Sequence, residues 1–98
     1  MEKQIVLAAL AALAQETRLD VFRMLVRSGD DGLAPGQMAA ALNLPAATLS
    51  FHLKELKGAG LLCCSRDGRS RIYRPDFDTI GSLLAYLSEN CCASRAEK

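Results

Sequence analysis

No stretch of the 98-residue chain stays apolar for the roughly 18 residues that a membrane-spanning helix requires. The longest apolar run, Ile5 to Ala14, is too short. It is preceded only by Glu2, Lys3 and Gln4, a poor match to the basic start of a secretory leader. A cytoplasmic protein with no membrane contact is therefore expected. Also missing are a C-x-x-C motif, a glycine-rich cofactor loop and a catalytic His–Cys pair, and histidine occurs once. These gaps argue against a thiol enzyme such as a small oxidoreductase, and the chain is not read as an enzyme. There is no internal repeat and no low-complexity tract. A large charge excess is absent too: the net charge is +1, which by itself does not announce a nucleic-acid binder.

What is present is a globular composition, 50% hydrophobic and 23% charged. The length suits one small domain, with residues 1–92 folded and 93–98 a polar tail. A domain this small buries a modest share of its surface, so a stabilising second copy is expected. Charge is unevenly distributed. Residues 46–74 carry six basic and two acidic side chains, a net +4, while the remaining 69 residues sum to −3. A local basic segment suits a polyanion; a solvated face is the plainer alternative.

Periodicity and punctuation give the order α-α-α-α-β-β-α. Residues 3–14 form a helix apolar on most faces, which must be buried, and a partner chain is one way to bury it. Residues 16–27 form a second helix with Leu19, Phe22 and Val26 as its core stripe, stopped at Ser28-Gly29. A short helix from Pro35 to Leu42 has proline in its first turn. The Asn43-Leu44 connection leads into a helix from Pro45 to Lys57 or Gly58, with glycine as its stop. Strands Leu61–Arg66 and Arg69–Arg74 flank Asp67-Gly68, a hairpin signal. After Pro75, with Asp76 or Asp78 as cap, a last helix runs from Phe77 to about Asn90 with Ile80, Leu83, Leu84 and Leu87 in one stripe.

Two short helices on a tight turn followed by a basic hairpin make a winged helix-turn-helix, whose second helix enters the major groove. At about 100° per residue, Leu49, His52, Leu53 and Leu56 share the core side of that helix. Ala47, Phe51 and Lys54 point the other way, flanked by Thr48, Ser50 and Glu55. Thr48 and Ser50 suit base edges or phosphates, Ala47 and Phe51 a thymine methyl, and Lys54 and Lys57 phosphates. Phe51 has a second option, packing under the wing. Around the wing tip, Arg66, Arg69, Arg71 and Arg74 suit phosphates or the minor groove, with Arg69 and Arg71 on one side of their strand; their alternative role is charge protection of a sheet edge. His52 is expected to be a packed, hydrogen-bonded residue. A winged helix used only for protein contacts is the competing class, and it would show no salt-dependent affinity for DNA.

Four cysteines sit as two adjacent pairs, Cys63-Cys64 and Cys91-Cys92. Adjacent residues rarely bridge without strain, and in a reducing compartment paired thiols point to metal ligation or redox chemistry. Cys64 continues the inward side of its strand and also fits as a small core residue.

Leu13-Ala14-Gln15-Glu16-Thr17-Arg18-Leu19, then Leu49-Ser50-Phe51-His52-Leu53-Lys54-Glu55-Leu56 with Ala59-Gly60-Leu61, and finally Arg66-Asp67-Gly68-Arg69 with Ile72-Tyr73-Arg74 resemble the ArsR/SmtB metalloregulators. The resemblance spans about residues 5–92. It implies a cytosolic homodimer built on the first and last helices, a double-stranded operator with two half-sites, and repression relieved by an inducer. The cysteine box of the founding arsenic repressors is missing from Pro35–Leu42, and the last helix lacks the histidines of the zinc sensors. The ending Glu89-Asn90-Cys91-Cys92 resembles an arsenic-responsive subgroup whose sensing cysteines sit there. The resemblance thus implies trivalent arsenic or antimony as inducer, on Cys91 and Cys92, with no organic cofactor. Thiolates select such thiophilic ions. Cys63 or Cys64 of the other chain is a candidate third ligand, because about 14 helical residues place the two pairs of one chain roughly 20 Å apart. The alternative is a repressor of the same fold whose thiols respond to oxidation or persulfide.

Overall fold

A computed structural model describes residues 1–89. Five helices and one hairpin follow in the order α1 (Lys3–Leu13), α2 (Glu16–Ser28), a 3-10 turn (Gly29–Asp31), α3 (Pro35–Leu42), α4 (Ala46–Gly58), β1 (Leu62–Asp67), β2 (Ser70–Pro75) and α5 (Phe77–Leu87). This is the winged helix-turn-helix that the sequence implied.

The turn between α3 and α4 is built by local chemistry. Pro35 occupies the first position of α3, where its missing N–H costs nothing. Gln37 Oε1 accepts from the Ala34 N–H at 2.8 Å. Asn43 ends α3 in the left-handed region (φ 54°), which asparagine tolerates better than most residues. Pro45 then starts α4 from an extended conformation. At the far end the stop is Gly60 (φ 81°) rather than Gly58, which stays helical. Gly60 N–H donates to the Lys57 carbonyl and Leu61 N–H to the Leu56 carbonyl, both at 3.0 Å. That is the double bond pattern of a Schellman ending.

The core gathers around α4. Leu49, Leu53 and Leu56 meet Val21 and Leu25 of α2, Met38 of α3, and Leu61 at the strand entry, all essentially inaccessible. The inward side of α2 is Val21, Phe22 and Leu25; Leu19 and Val26 are exposed, contrary to the expected stripe. This helix carries apolar residues at 19, 21, 22, 24, 25 and 26, so several helical rows are apolar and only the packing partner selects one.

The wing is shifted by one residue from its expected strands. Asp67 pairs with Ser70, leaving Gly68-Arg69 as the two-residue turn. Gly68 has φ 65° while Arg69 does not share a positive φ. A turn of type II′ requires that conformation at its first central residue only, where glycine is best suited. An Asp67-Gly68 turn would put aspartate there. Arg69 consequently sits in the turn and does not alternate with Arg71 along a strand. A further rung was not foreseen: Leu33 and Tyr73 exchange both backbone hydrogen bonds at 3.0 and 2.9 Å, stitching the segment before α3 to β2.

Asp76 caps α5, its Oδ1 accepting from Thr79 N–H at 3.1 Å. The helix ends at Leu87, before the expected Asn90. No helix among the described residues is long and apolar enough to cross a membrane. On α1, Val6, Ala9 and Ala12 face inward while Ile5, Leu7 and Leu10 are exposed. On α5 only Leu83 is buried, and Leu84 and Leu87 stand more than half exposed.

Candidate nucleic-acid interface

The two sides of α4 separate cleanly. Leu49, His52, Leu53 and Leu56 are buried; Ala47, Thr48, Ser50, Phe51, Lys54 and Lys57 are exposed. Phe51 is 56% exposed, so it does not pack under the wing. Solvating a phenylalanine ring of that exposure is unfavourable, and a protein surface that keeps one invites a partner group. The exposed face begins at the helix N-terminus, with small side chains first and lysines after them. Close approach of another molecule is least obstructed there.

Arg66, Arg69 and Arg71 extend this exposed face along the wing. Arg74 does not belong with them. Its Nε donates to the Asp30 carbonyl at 2.8 Å and its Nη1 to Ser65 Oγ at 2.6 Å, which ties the wing base to the 3-10 turn. The sequence placed it near the tip; the register opposite Cys63 places it at the base.

His52 is 8% exposed and packs its ring against Phe51, with centroids 5.6 Å apart and planes at 63°. Packing was expected, but its Nδ1 has no hydrogen-bond partner. Burial, with the Arg18 guanidinium as a second cause, holds its pKa below the ordinary 6.5. An unfolded chain therefore binds a proton on this imidazole before the native one does. Stability is fully present above about pH 6.5 and falls as pH drops toward the lower native value. Melting temperatures measured from pH 8 to pH 5 are expected to decline below 6.5, and His52→Gln is expected to flatten that part of the profile.

The cysteines divide. Cys63 is exposed at the wing base, with its Sγ 3.7 Å from the Arg74 carbonyl. Cys64 is half-buried against the core, across the ladder from Tyr73. Cys91 and Cys92 lie outside the described residues. Among the described residues no three His, Cys, Asp or Glu side chains gather as a metal site.

A family model for a helix-turn-helix domain matches residues 13–62. The uncharacterised HTH-type transcriptional regulator YceK of Bacillus subtilis is 34% identical over 73 residues, covering 74% of this chain and 72% of that protein. The homodimeric winged helix-turn-helix DNA-binding domain of a possible ArsR-family regulator from Mycobacterium bovis superimposes with TM-score 0.72 at 25% identity, over 91% of this chain and 82% of the other. The chain belongs to the ArsR/SmtB family. As an ArsR/SmtB regulator it binds DNA through its helix-turn-helix and is not an enzyme. A third relative, a solved structure described as a possible transcriptional regulator for arsenical resistance, is 31% identical with TM-score 0.70, over 82% of this chain and 80% of that one. Of these relatives, the Mycobacterium bovis domain is described as homodimeric.

Proposed function

We propose that this ArsR/SmtB protein is a cytoplasmic repressor, homodimeric through α1 and α5, that leaves its operator when trivalent arsenic binds cysteine thiolates. The DNA half of this reading is carried by one observation. The outward side of α4 presents Ala47, Thr48, Ser50, Phe51, Lys54 and Lys57 to solvent beside the exposed wing arginines Arg66, Arg69 and Arg71. Small and hydroxylic side chains at the leading end suit base edges, Phe51 suits a thymine methyl, and the cations suit phosphates.

The inducer half rests on donor chemistry. Cys91 and Cys92 are soft adjacent donors of the kind that thiophilic ions prefer, and the sequence lacks the last-helix histidines of the family's zinc sensors. Cys63 at the exposed wing base is the more accessible third donor across a dimer; Cys64 is partly committed to the core. The relative described as a possible arsenical-resistance regulator supports the same inducer class. Release follows if the bound ion favours a dimer whose recognition helices no longer match half-sites spaced by whole helical turns. The exposure of Cys63 also favours a second reading, an oxidant- or persulfide-responsive repressor, since such a thiol is reached without rearrangement.

Fluorescence titration of the reduced protein on its own promoter DNA tests both. Arsenite, methylarsenite or antimonite is expected to release the protein, zinc to leave it bound, and Cys91→Ser or Cys92→Ser to abolish the response. Full response in a Cys63→Ser, Cys64→Ser double variant would remove the cross-chain ligand. Release by oxidant without metalloid would establish the redox reading instead.

A further inference from the structure

Between α1, the start of α2 and the end of α4 lies a cavity of about 460 Å³, within the range of about 300–1,000 Å³ typical of small-molecule sites. Its walls are Ala8 and Ala11 of α1 with Gly58 and Ala59 at the end of α4, none carrying more than a methyl group. Two charged side chains, Arg18 and Glu55, stand beside this apolar lining. Arg18 is half-buried, and its Nε donates to the Ala12 carbonyl at 2.7 Å, which fixes the guanidinium plane. That bond leaves both Nη groups without a partner among the described residues. The Glu55 side chain is exposed and likewise makes no hydrogen bond or ion pair among the described residues. A cation and an anion thus share one small recess without satisfying each other.

We infer that this cavity binds a small zwitterion, an α-amino acid with an apolar side chain, whose carboxylate meets Arg18 and whose ammonium meets Glu55. A plain carboxylate brings its charge beside Glu55, and a plain amine brings its charge beside Arg18. Only a molecule carrying both charges satisfies both ends. The two free Nη groups of a held guanidinium form the planar fork that carboxylates take. Fixing that fork beforehand lowers the ordering cost of binding. The methyl-lined space beside the charges takes a hydrocarbon side chain, whose burial is favourable. The site uses none of the residues assigned above to DNA or to the inducer. It also occupies a flank of α1 different from the one proposed for the dimer. Ala8 and Ala12 lie about 100° or more round the helix from Leu7 and Leu10. A molecule seated there touches both α1 and α4, the helix proposed for dimerisation and the helix that faces DNA.

L-Leucine titrated into the full-length reduced protein tests this by NMR. Saturable shifts of the Ala8, Ala11 and Ala59 amides are expected, with a midpoint of about 1 mM or below. His52, the only histidine, feels the Arg18 charge, so its ring signals are expected to move with the same midpoint. Two fragments of leucine separate the charges: 4-methylpentanoate lacks the ammonium and 3-methylbutylamine lacks the carboxylate. Each is expected to bind about tenfold more weakly or worse, as loss of a charge-assisted contact dictates. E55Q is expected to weaken leucine about tenfold and 4-methylpentanoate not at all. A11M, which sends a long side chain into the cavity from an exposed position, is expected to abolish binding with helical circular dichroism unchanged. Neither variant alters Arg18, whose bond to Ala12 joins α1 to α2. No saturable shift up to about 20 mM leucine overturns the site. Unchanged leucine binding by A11M overturns its placement in this cavity. Binding of 4-methylpentanoate as tight as that of leucine, or unchanged leucine binding by E55Q, overturns the zwitterion.

Discussion

Replacing Leu84 and Leu87 together by glutamate is expected to convert the protein to a folded monomer and to lower operator affinity by about 100-fold or more. Both side chains are more than half exposed on α5, one turn apart, and neither contributes to the core of its own chain. Ile5, Leu7 and Leu10 add exposed apolar surface on α1. Burying each such side chain is worth about 1.5–3 kcal/mol, and a two-fold axis counts every contact twice. Four leucines lost from one symmetric interface therefore remove several kcal/mol from association, before any cost of burying new carboxylates. The effect on DNA follows from valency. A dimer makes its second half-site contact intramolecularly, which multiplies affinity by about 10²–10⁴, and a monomer forfeits that factor. Sedimentation equilibrium checks the first part and a binding isotherm on two-half-site DNA the second. A dimer that survives both substitutions would show that α5 is not the interface. Fold stability should change little, since neither leucine is buried within the chain.

The helix-turn-helix was legible in the sequence because its signals are local. Pro35, Asn43 and Pro45 act on backbone angles at their own positions, and the sorting of α4 into Leu49-His52-Leu53-Leu56 against Ala47-Phe51-Lys54 follows from helical geometry with one strongly apolar side. Where the deciding interaction was long-range, the same reasoning stopped short. The row of α2 that turns inward is chosen by α4 and not by α2, whose apolar residues fit several rows. The one-residue shift of the wing is the local exception: aspartate and glycine both suit hairpin turns, and glycine takes the positive φ. The role of Arg74 depended on Asp30, 44 positions away. His52 was legible as a buried residue, but its unpartnered Nδ1 was not, because hydrogen-bond satisfaction is a property of the surroundings. Phe51 was left with two roles by the sequence, and its exposure removes the one beneath the wing.

Gly32 illustrates the same limit and carries a large expected effect. In the sequence it is one of several glycines marking a break after α2. In the fold it has φ 70° and ψ −176°, a region essentially confined to glycine. A Cβ built there would lie 2.6 Å from the Tyr73 carbonyl oxygen, 2.7 Å from Ile72 Cγ2 and 2.8 Å from Arg74 Cγ. The first contact cannot be relieved by a side-chain rotation, because it is with backbone. That oxygen is also the acceptor for Leu33 N–H in the rung joining the wing to the segment before α3. Gly32→Ala must therefore push β2 away, break the rung and strain its own backbone. Strain of about 1–3 kcal/mol for the conformation, with a lost hydrogen bond of about 1 kcal/mol, gives a loss on the order of 3 kcal/mol. For a domain of this size that lowers the melting temperature by roughly 12–24 °C. Gly29→Ala is the control: Gly29 also has positive φ, at 66°, but nothing lies within 4 Å of its added Cβ, so only the conformational strain applies. Equal losses for the two variants would show that the close approach to Tyr73 is unimportant. If the approach matters, Gly32→Ala should also weaken DNA binding at temperatures where the protein stays folded. Arg71 and Tyr73 ride on the displaced strand, so the spacing between the wing and the exposed face of α4 changes with them.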